Sequence, residues 1–209
     1  ILDSNGNYQK VNNLQYSINR TVNPFRARWL GAGYTWNYSN ADTQIIGHII
    51  ESASNKFINS FAEEYLFSKI GISADWWTDG FHNYMHYCCL DMTTRDFAKF
   101  GLLFARDGEW GSERIIPEDW VLESTAPTIT ITESWQIGYG YQWWLPGDPL
   151  TDYTAHGVYN QFIYVDPESG IVIAKTSSNH RFRSEKEYTK DAHIAMFRSI
   201  AQHIKKETN

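Results

Sequence analysis

A short turn between two strand-forming runs near the C-terminus is the feature that most constrains the fold. The runs are residues 159–165 and 171–175, which are rich in β-branched and aromatic side chains. The residues between them, at positions 166–170, read Asp-Pro-Glu-Ser-Gly, a composition that favours a turn. The two runs should therefore pair as an antiparallel hairpin, and residues 138–145, of similar composition, supply a further strand.

Before residue 138 the spacing of apolar residues is helical. Apolar residues at positions 45, 46, 49, 50 and 53 predict a helix that begins after Asn40 and turns this stripe toward the core. Apolar residues at positions 57, 58, 61, 65 and 66 predict a second helix that stops at Gly71, where a left-handed cap suits glycine. The two helices form an αα-hairpin, and residues 72–92 are predicted to be a loop.

Three more helices follow from capping residues and periodicity. The third helix should begin at Thr93, with Asp96 favouring the amides of its first turn, and Gly108 should end it. Asp96 could instead be catalytic, but the cap is the better interpretation. A short helix should follow Pro117, and residues 126–136 are predicted to be a surface loop. The closing helix should cover one face of the sheet with the apolar residues at positions 194, 197, 201 and 204.

This order of elements indicates an α+β fold, with an antiparallel sheet flanked by helices and a helical lobe. We expect one domain over residues 1–209, with the mainly helical lobe at about 34–135 and the sheet strands and last helix at 136–209. Residues 1–33 are predicted to be irregular, as loop or short helix.

Composition excludes several classes of protein. The 209 residues are 42% hydrophobic and 16% aromatic, which excludes disorder for most of the chain. The net charge is −6 and the basic residues form no cluster, so nucleic acid is not an expected partner. No apolar run is long enough to span a bilayer. The oligomeric state stays open.

The segment Tyr38-Ser39-Asn40, at the entrance of the first helix, is a candidate catalytic element. A phenol and a carboxamide two residues apart can transfer a proton and form hydrogen bonds with a carbonyl or amide group. The alternative is structural, with Asn40 capping the helix and Tyr38 packing against the protein. On these residues alone, the structural interpretation is the commoner one.

A second candidate element is Ala155-His156-Gly157-Val158, directly before the aromatic strand run. Glycine lets a substrate approach the strand backbone, a backbone N–H there can face an oxyanion, and His156 can donate a hydrogen bond. Taken alone, a histidine at such a position is more often an ordinary surface residue of a strand.

With these two elements in this order, the chain resembles the serine β-lactamase-like and penicillin-binding-protein-like hydrolases. The closest branch is the class C-like one, which also holds family VIII-type carboxylesterases, D-aminopeptidases and 6-aminohexanoate-oligomer hydrolases. Tyr38-Ser39-Asn40 matches the second motif of the family, Tyr-x-Asn. Ala155-His156-Gly157 aligns with the third motif, in the His-Gly form of the esterase-like members. The four matching blocks are GAGYTWNYSNADTQIIGHIIE, MTTRDFAKFGLLFARDGEWGSERIIPEDWVLEST, GYGYQWW and AHGVYNQFIYVDPESGIVIAKTS.

The resemblance implies a β-lactamase/transpeptidase-like fold and a role for each motif residue. Tyr38 would move the proton of the nucleophile and protonate the leaving group, and Asn40 would bind the acyl side chain of the substrate. His156 and Gly157 would line the strand edge, and the N–H of Val158 would form half of an oxyanion hole. The implied substrate is a small ester, amide or peptide-like molecule, with no cofactor.

Two departures from the family pattern affect these expectations. The third motif lacks its lysine, which argues against tight recognition of a carboxylate and favours esters or neutral amides. The first motif, Ser-x-x-Lys, does not occur in the 209 residues. We therefore expect a C-terminal portion of a longer protein, incomplete at its N-terminus and inactive by itself, with the nucleophile in an upstream segment. The resemblance alone favours a periplasmic or extracellular location.

Two alternative functions remain open. The enzyme could be a β-lactamase or a D-amino-acid or peptide hydrolase of the same family. The protein could also be a non-catalytic binding protein whose aromatic residues 139, 141, 143 and 144 form a platform for ligands, although most of these are more simply core residues. His82, His86, Cys88 and Cys89 form a tempting zinc pattern, but their spacing is unsuitable, so we predict no metal and two unpaired, buried cysteines.

Overall fold

A computed structural model describes residues 12, 14, 15, 17, 38–130, 138–147, 151–181, 184 and 189–208. The chain divides into two compact units, Ile1–Met92 and Thr93–Asn209. Of the segment 1–33, predicted to be loop or short helix, the structure describes residues 12, 14, 15 and 17, and the last three of these are helical. Most of the predicted loop at 126–136 lies outside the described residues. No described helix is both long enough and apolar enough to cross a membrane.

The first unit contains helix α1, Asn40–Ser54, as the sequence predicts. The predicted buried stripe on this helix is wrong. Ile46 and Ile49 are 49% and 59% exposed, whereas Gln44 and Gly47 are buried. The reason is a close approach of the loop around residue 86, whose backbone and side chain pack on Gln44 and on the bare Cα of Gly47.

The second helix is interrupted by a π-helical turn. Helix α2, Ile58–Ala62, leads through the turn, Glu63–Phe67, into helix α3, Ser68–Ile70, which ends at Gly71 in the left-handed conformation. The glycine stop is confirmed, but the predicted buried face is not. A π-helical turn inserts an extra residue, so the buried face passes through Phe67 and Ile70 and leaves Tyr65 51% exposed.

The prediction that residues 72–92 form a loop is wrong in part, because this segment contains two strands. Strands β1, Ala74–Trp76, and β2, Leu90–Met92, pair in an antiparallel two-stranded sheet. Cys88 and Cys89 are joined in a vicinal disulfide just before β2, so the prediction of two unpaired cysteines is wrong. Cys89 accommodates the bond with a positive φ of 68°.

The second unit is built on a six-stranded antiparallel sheet in the order β10-β9-β8-β7-β6-β5. The strands are β5, Ile129–Thr130, β6, Gly138–Tyr139, β7, Trp144–Leu145, β8, Tyr153–Gly157, β9, Gln161–Asp166, and β10, Ile171–Lys175. The predicted hairpin between the last two runs is confirmed, with Ile171 opposite Asp166 and Lys175 opposite Phe162.

Two strand predictions need correction. Residues 138–145 form two short strands, β6 and β7, separated by a turn in which Gln142 has a φ of 71°. The strand predicted from residue 159 begins at Gln161, because Tyr159 and Asn160 occupy the turn between β8 and β9 with positive φ angles. Non-glycine residues rarely adopt positive φ, so the residue types of Tyr159 and Asn160 did not indicate a turn at this position.

Helices and short strands complete this unit. Helix α4, Thr94–Ala105, contributes Phe104 to a core with residues of β7, β8 and β9. The predicted start at Thr93 is confirmed, since Thr93 is the N-cap of α4. Strands β3, Glu109–Trp110, and β4, Glu113–Arg114, form a small hairpin before helix α5, Glu118–Ser124. Helix α6, Lys190–Thr208, buries Phe197 against Phe162 and Tyr164 of β9. The α+β class is confirmed.

Candidate functional site

The start of helix α1 places Tyr38 and Asn40 without using either as a cap. Ser39 is the N-cap, and its Oγ accepts a hydrogen bond from the backbone N–H of Asp42 at 3.3 Å. Asn40 is the first residue of the helix, and its side chain is exposed. The structural interpretation, in which Asn40 caps the helix, is therefore wrong, and the carboxamide is available for another role.

Tyr38 does not pack into the core either. Its side chain is 52% exposed. The protein around it nevertheless removes enough water to raise the pKa of the phenol above its ordinary value of 10. The hydroxyl therefore holds its proton at neutral pH, as a group that donates a proton to a leaving group must.

In the second unit, His156 and Gly157 are the last two residues of strand β8, and Val158 begins the turn into β9. On one side, β8 pairs with β9 along its whole length. On the other side, β7 pairs with β8 only through Trp144 and Thr154. Among the described residues, no strand therefore pairs with that side of residues 155–157, and this open edge can take an extended substrate segment.

Glycine keeps this edge accessible. Gly157 is exposed, and a Cβ placed on it would meet only Gln161, with its Cβ at 3.4 Å and its backbone oxygen at 3.9 Å, both ordinary van der Waals contacts. Neither internal packing nor a positive φ requires glycine at this position. A need for close approach of another molecule to the backbone accounts for it better.

His156 lies over an aromatic stack at the end of β8. Its ring stacks on Phe162 with centroids 4.6 Å apart, and Phe162 stacks in turn on His193 of α6 at 5.0 Å. Burial, with smaller effects from Lys190 and His193, lowers the pKa of His156 to about 4. The ring is therefore neutral at neutral pH and offers one N–H donor and one acceptor.

This pKa predicts a stability that depends on pH. The unfolded chain takes up a proton near the ordinary value of 6.5, whereas folded His156 takes it up only near 4. Stability should therefore fall as pH drops through this window, by up to about 3 kcal/mol from this group. In urea unfolding at about pH 7 and about pH 4, His156→Gln should lose much less stability between the two conditions than the parent protein.

The matched control for this prediction is His203→Gln. His203 is 73% exposed on α6 and pairs only with exposed Glu207. Its substitution should leave the pH dependence of stability unchanged. Equal pH dependence in the parent protein and His156→Gln would show that this histidine is not held neutral.

A lysine that sequence reasoning missed braces the turn after β8. Nζ of Lys175, at the end of β10, donates a hydrogen bond to the backbone carbonyl of Asn160 at 2.8 Å. Partial burial lowers the pKa of this lysine. The only sequence signal was a lone charge at the end of an apolar strand run. Lys175 thus fixes the backbone conformation of the turn that begins at Val158.

Other candidate residues have structural roles. Thr93 caps α4, and the Asp96 carboxylate accepts hydrogen bonds from Thr93 Oγ1 and Lys99 Nζ, both at 2.7 Å. The cap interpretation of Asp96 is therefore confirmed. Trp143 and Trp144 are 4% and 7% exposed, so they are core residues and cannot form a ligand platform.

A family comparison decides how these elements are to be interpreted. A model of the family described as Beta-lactamase matches residues 13–195, which is most of the chain. The chain belongs to the beta-lactamase family. The resemblance drawn from the two motifs is confirmed, and both motifs lie inside the matched range.

Similarity to individual proteins agrees with membership of this family. The 6-aminohexanoate-dimer hydrolase of Paenarthrobacter ureafaciens is 26% identical over 157 residues, which are 68% of this chain and 39% of that protein. The structure of a candidate 6-aminohexanoate-dimer hydrolase from Bacillus anthracis superimposes with a TM-score of 0.74 at 24% identity, covering 99% of this chain and 58% of that one. The chain thus spans less than two thirds of the length of these relatives.

Two more distant beta-lactamase-like structures share the fold. A candidate beta-lactamase from Bacteroides dorei DSM 17855 gives a TM-score of 0.67 at 16% identity, over 96% of this chain and 68% of that one. The octameric penicillin-binding protein homologue from Pyrococcus abyssi gives 0.65 at 17% identity, over 95% and 49%. At these identities the likeness shows the fold alone.

Proposed function

We propose that the protein is a serine hydrolase that cleaves esters or amides through an acyl-enzyme intermediate. The observation that carries the proposal is the open edge of β8 at residues 155–157, where the third family motif ends in an accessible glycine. Family membership supports the reaction class. The exposed Tyr38 and Asn40 support it as well, since neither residue is needed to cap or fill the first unit.

The proposed reaction divides the work among the motif residues. The serine of a Ser-x-x-Lys segment outside these 209 residues attacks the acyl carbon, and its oxygen forms the ester as the bond to the leaving group breaks. Tyr38 moves the proton from the nucleophile to the leaving group, and Asn40 binds the acyl side chain. The N–H of Val158 stabilises the developing oxyanion, and His156 donates a hydrogen bond as a neutral ring. Water then releases the acid.

The lack of a positive charge at the third motif favours uncharged acyl substrates. Family members that bind a carboxylate at this position use a lysine, whereas this chain has the neutral ring of His156. Lys175 is close in the fold, but its ammonium group is committed to the carbonyl of Asn160. The relative from P. ureafaciens is named for the 6-aminohexanoate dimer and not for a β-lactam, which supports a substrate other than a penicillin.

Gly157→Val should lower kcat/KM by about 10-fold or more while the protein stays folded, because the branched side chain would cover the edge that admits substrate. The space around the site supports retained stability, since only Gln161 is near. Hydrolysis of a p-nitrophenyl ester and the urea unfolding midpoint would be measured together. If Gly157→Val hydrolysed the ester at the full rate and kept the urea unfolding midpoint of the parent protein, the substrate would not bind at this strand edge.

The experiment that tests the function compares substrate classes with the full-length protein. Initial rates would be measured for a p-nitrophenyl acyl ester, a linear amide of aminohexanoate and nitrocefin. Turnover of the ester or the linear amide with little turnover of nitrocefin is expected. Nitrocefin as the best substrate would make the protein a β-lactamase, and failure of all three would favour a binding protein.

A further inference from the structure

Three side chains that the proposed reaction does not use converge in the first unit. His48 and Glu51 lie one turn apart on α1, and His86 comes from the loop before β2. One donor atom from each residue lies within 4.8 Å of the other two. His48, Glu51 and His86 are called the His-Glu-His cluster below.

His86 is oriented toward the cluster by contacts on its other side. Its Nδ1 lies 3.0 Å from the backbone carbonyl of Gln44, which can only accept, so Nδ1 carries the ring proton. Its backbone N–H donates to Oε1 of Gln44 at 3.0 Å. The ring also lies so close to α1 that a Cβ on Gly47 would come within 2.0 Å of it. Position and tautomer of His86 are therefore both fixed.

This arrangement leaves Nε2 of His86 as a buried acceptor. The side chain is 3% exposed, and no donor in the described part of the chain forms a hydrogen bond with Nε2. The nearest charged atom is Oε1 of Glu51 at 3.6 Å. A lone pair that faces a carboxylate is unfavourable unless a proton or a cation lies between them.

His48 and Glu51 are positioned just as firmly. The amide of Gln44 donates to the backbone carbonyl of Tyr84 at 2.8 Å and lies 3.2 Å from Nε2 of His48. Nδ1 of His48 therefore faces Oε2 of Glu51, at 2.9 Å. Oε1 of Glu51 accepts the backbone N–H of Ile58 at 3.0 Å. Metal-bound histidines are oriented by donating the far ring N–H to an acceptor, as Nδ1 of His86 does to the carbonyl of Gln44.

We propose that the His-Glu-His cluster binds a divalent transition-metal ion, with Zn²⁺ as the best fit. Two imidazoles and one carboxylate form a common zinc ligand set, and a solvent molecule completes the four ligands. Zinc bonds of about 2.0–2.2 Å in a tetrahedral site put ligand atoms about 3.4 Å apart. The distances from Oε2 of Glu51 to Nδ1 of His48, 2.9 Å, and from Oε1 to Nε2 of His86, 3.6 Å, bracket this value. When the ion binds Nδ1 of His48, the ring proton moves to Nε2, and the amide of Gln44, 3.2 Å away, turns from it.

This site differs from the zinc pattern considered in the sequence. The disulfide between Cys88 and Cys89 removes both thiolates as ligands. His82 lies in the exposed turn that precedes Asn83, and it is not part of the cluster. Only His86 is shared between the two patterns. The sequence analysis predicted no metal, and the proposed site would take its other two ligands from α1.

Calorimetric titration of the metal-stripped, full-length protein with Zn²⁺ tests the proposal, with Co²⁺ as a spectroscopic probe. Binding at one site per chain is expected, with Co²⁺ giving the intense visible bands of a tetrahedral site. His48→Gln and Glu51→Gln should each weaken Zn²⁺ binding by about 10- to 100-fold or more. The matched control, His82→Asn, should bind as the parent protein does, since asparagine tolerates the positive φ at this position.

Other outcomes would overturn the proposal. Absence of Zn²⁺ binding by the folded protein would mean that a shared proton, and no metal, holds the cluster together. Binding that survives in both Gln variants, or that His82→Asn abolishes, would place the ion at a different histidine. Circular dichroism of each variant would separate loss of ligands from loss of fold. These results are independent of hydrolytic activity, so the proposed function and the metal site can fail separately.

Discussion

Tyr38→Phe should lower turnover by about 10²- to 10⁴-fold while the protein folds normally. The substitution removes only the hydroxyl that, in the proposed reaction, moves a proton between the nucleophile and the leaving group. Phenylalanine keeps the ring, and the side chain is 52% exposed. Steady-state hydrolysis of a p-nitrophenyl ester would give kcat and KM, and the loss should lie mainly in kcat.

Tyr65→Phe is the matched control for this prediction. Tyr65 belongs to the same unit and is 51% exposed, and its ring lies beside the ammonium group of Lys56. Phenylalanine keeps this ring contact, so both activity and stability should be close to those of the parent protein. If Tyr38→Phe also keeps full turnover, Tyr38 is not the proton-transfer group and the second motif has a different role.

The largest loss of stability is expected from Arg198→Met, by about 3–5 kcal/mol. Nε and Nη2 of Arg198 donate to the two carboxylate oxygens of Asp152 at 2.8 and 2.7 Å, and Nη2 also reaches the carbonyl of Gly147 at 2.7 Å. The Asp152 side chain is fully buried. Without the guanidinium group, the carboxylate stays in a site that excludes water and has lost its cation. Helix α6 would also lose its polar attachment to the sheet.

Chemical unfolding of Arg198→Met and of a control, Arg114→Met, would measure this difference. Arg114 pairs with Glu109, but the two side chains are 40% and 56% exposed, and a pair in water contributes at most about 1 kcal/mol. Similar losses in the two variants would mean that the buried pair contributes no more than a surface pair. Asp152→Asn combined with Arg198→Met should recover part of the loss, because the buried charge is then gone.

The parts of the fold that the sequence predicted correctly depend on local chemistry. The cap at Thr93, the left-handed stop at Gly71 and the turn at 166–170 each follow from residues within a few positions of one another. The errors have long-range causes. Gln44 and Gly47 are buried because a loop some forty residues later packs on them, and no periodicity within α1 reveals that loop.

The candidate sites show the same division. The two family motifs are contiguous and could be read directly from the sequence. The structure then showed that Ser39 is the cap and that residues 155–157 have an open edge. Only part of the His-Glu-His cluster could be predicted from the sequence. His48 and Glu51 share a helix face, but His86 joins them through tertiary packing. The contact between Lys175 and Asn160 likewise depends on the register of two strands.

Intact mass spectrometry of the full-length protein after treatment with a serine-reactive phosphonate tests whether an acyl-enzyme can form. One phosphonate adduct per chain is expected, on the serine of a Ser-x-x-Lys segment, as located by peptide mapping. Treatment with a penicillin should give little or no stable adduct, because the third motif lacks its lysine. Absence of any phosphonate adduct on a folded, full-length protein would contradict the acyl-enzyme mechanism and leave a binding protein with the family fold.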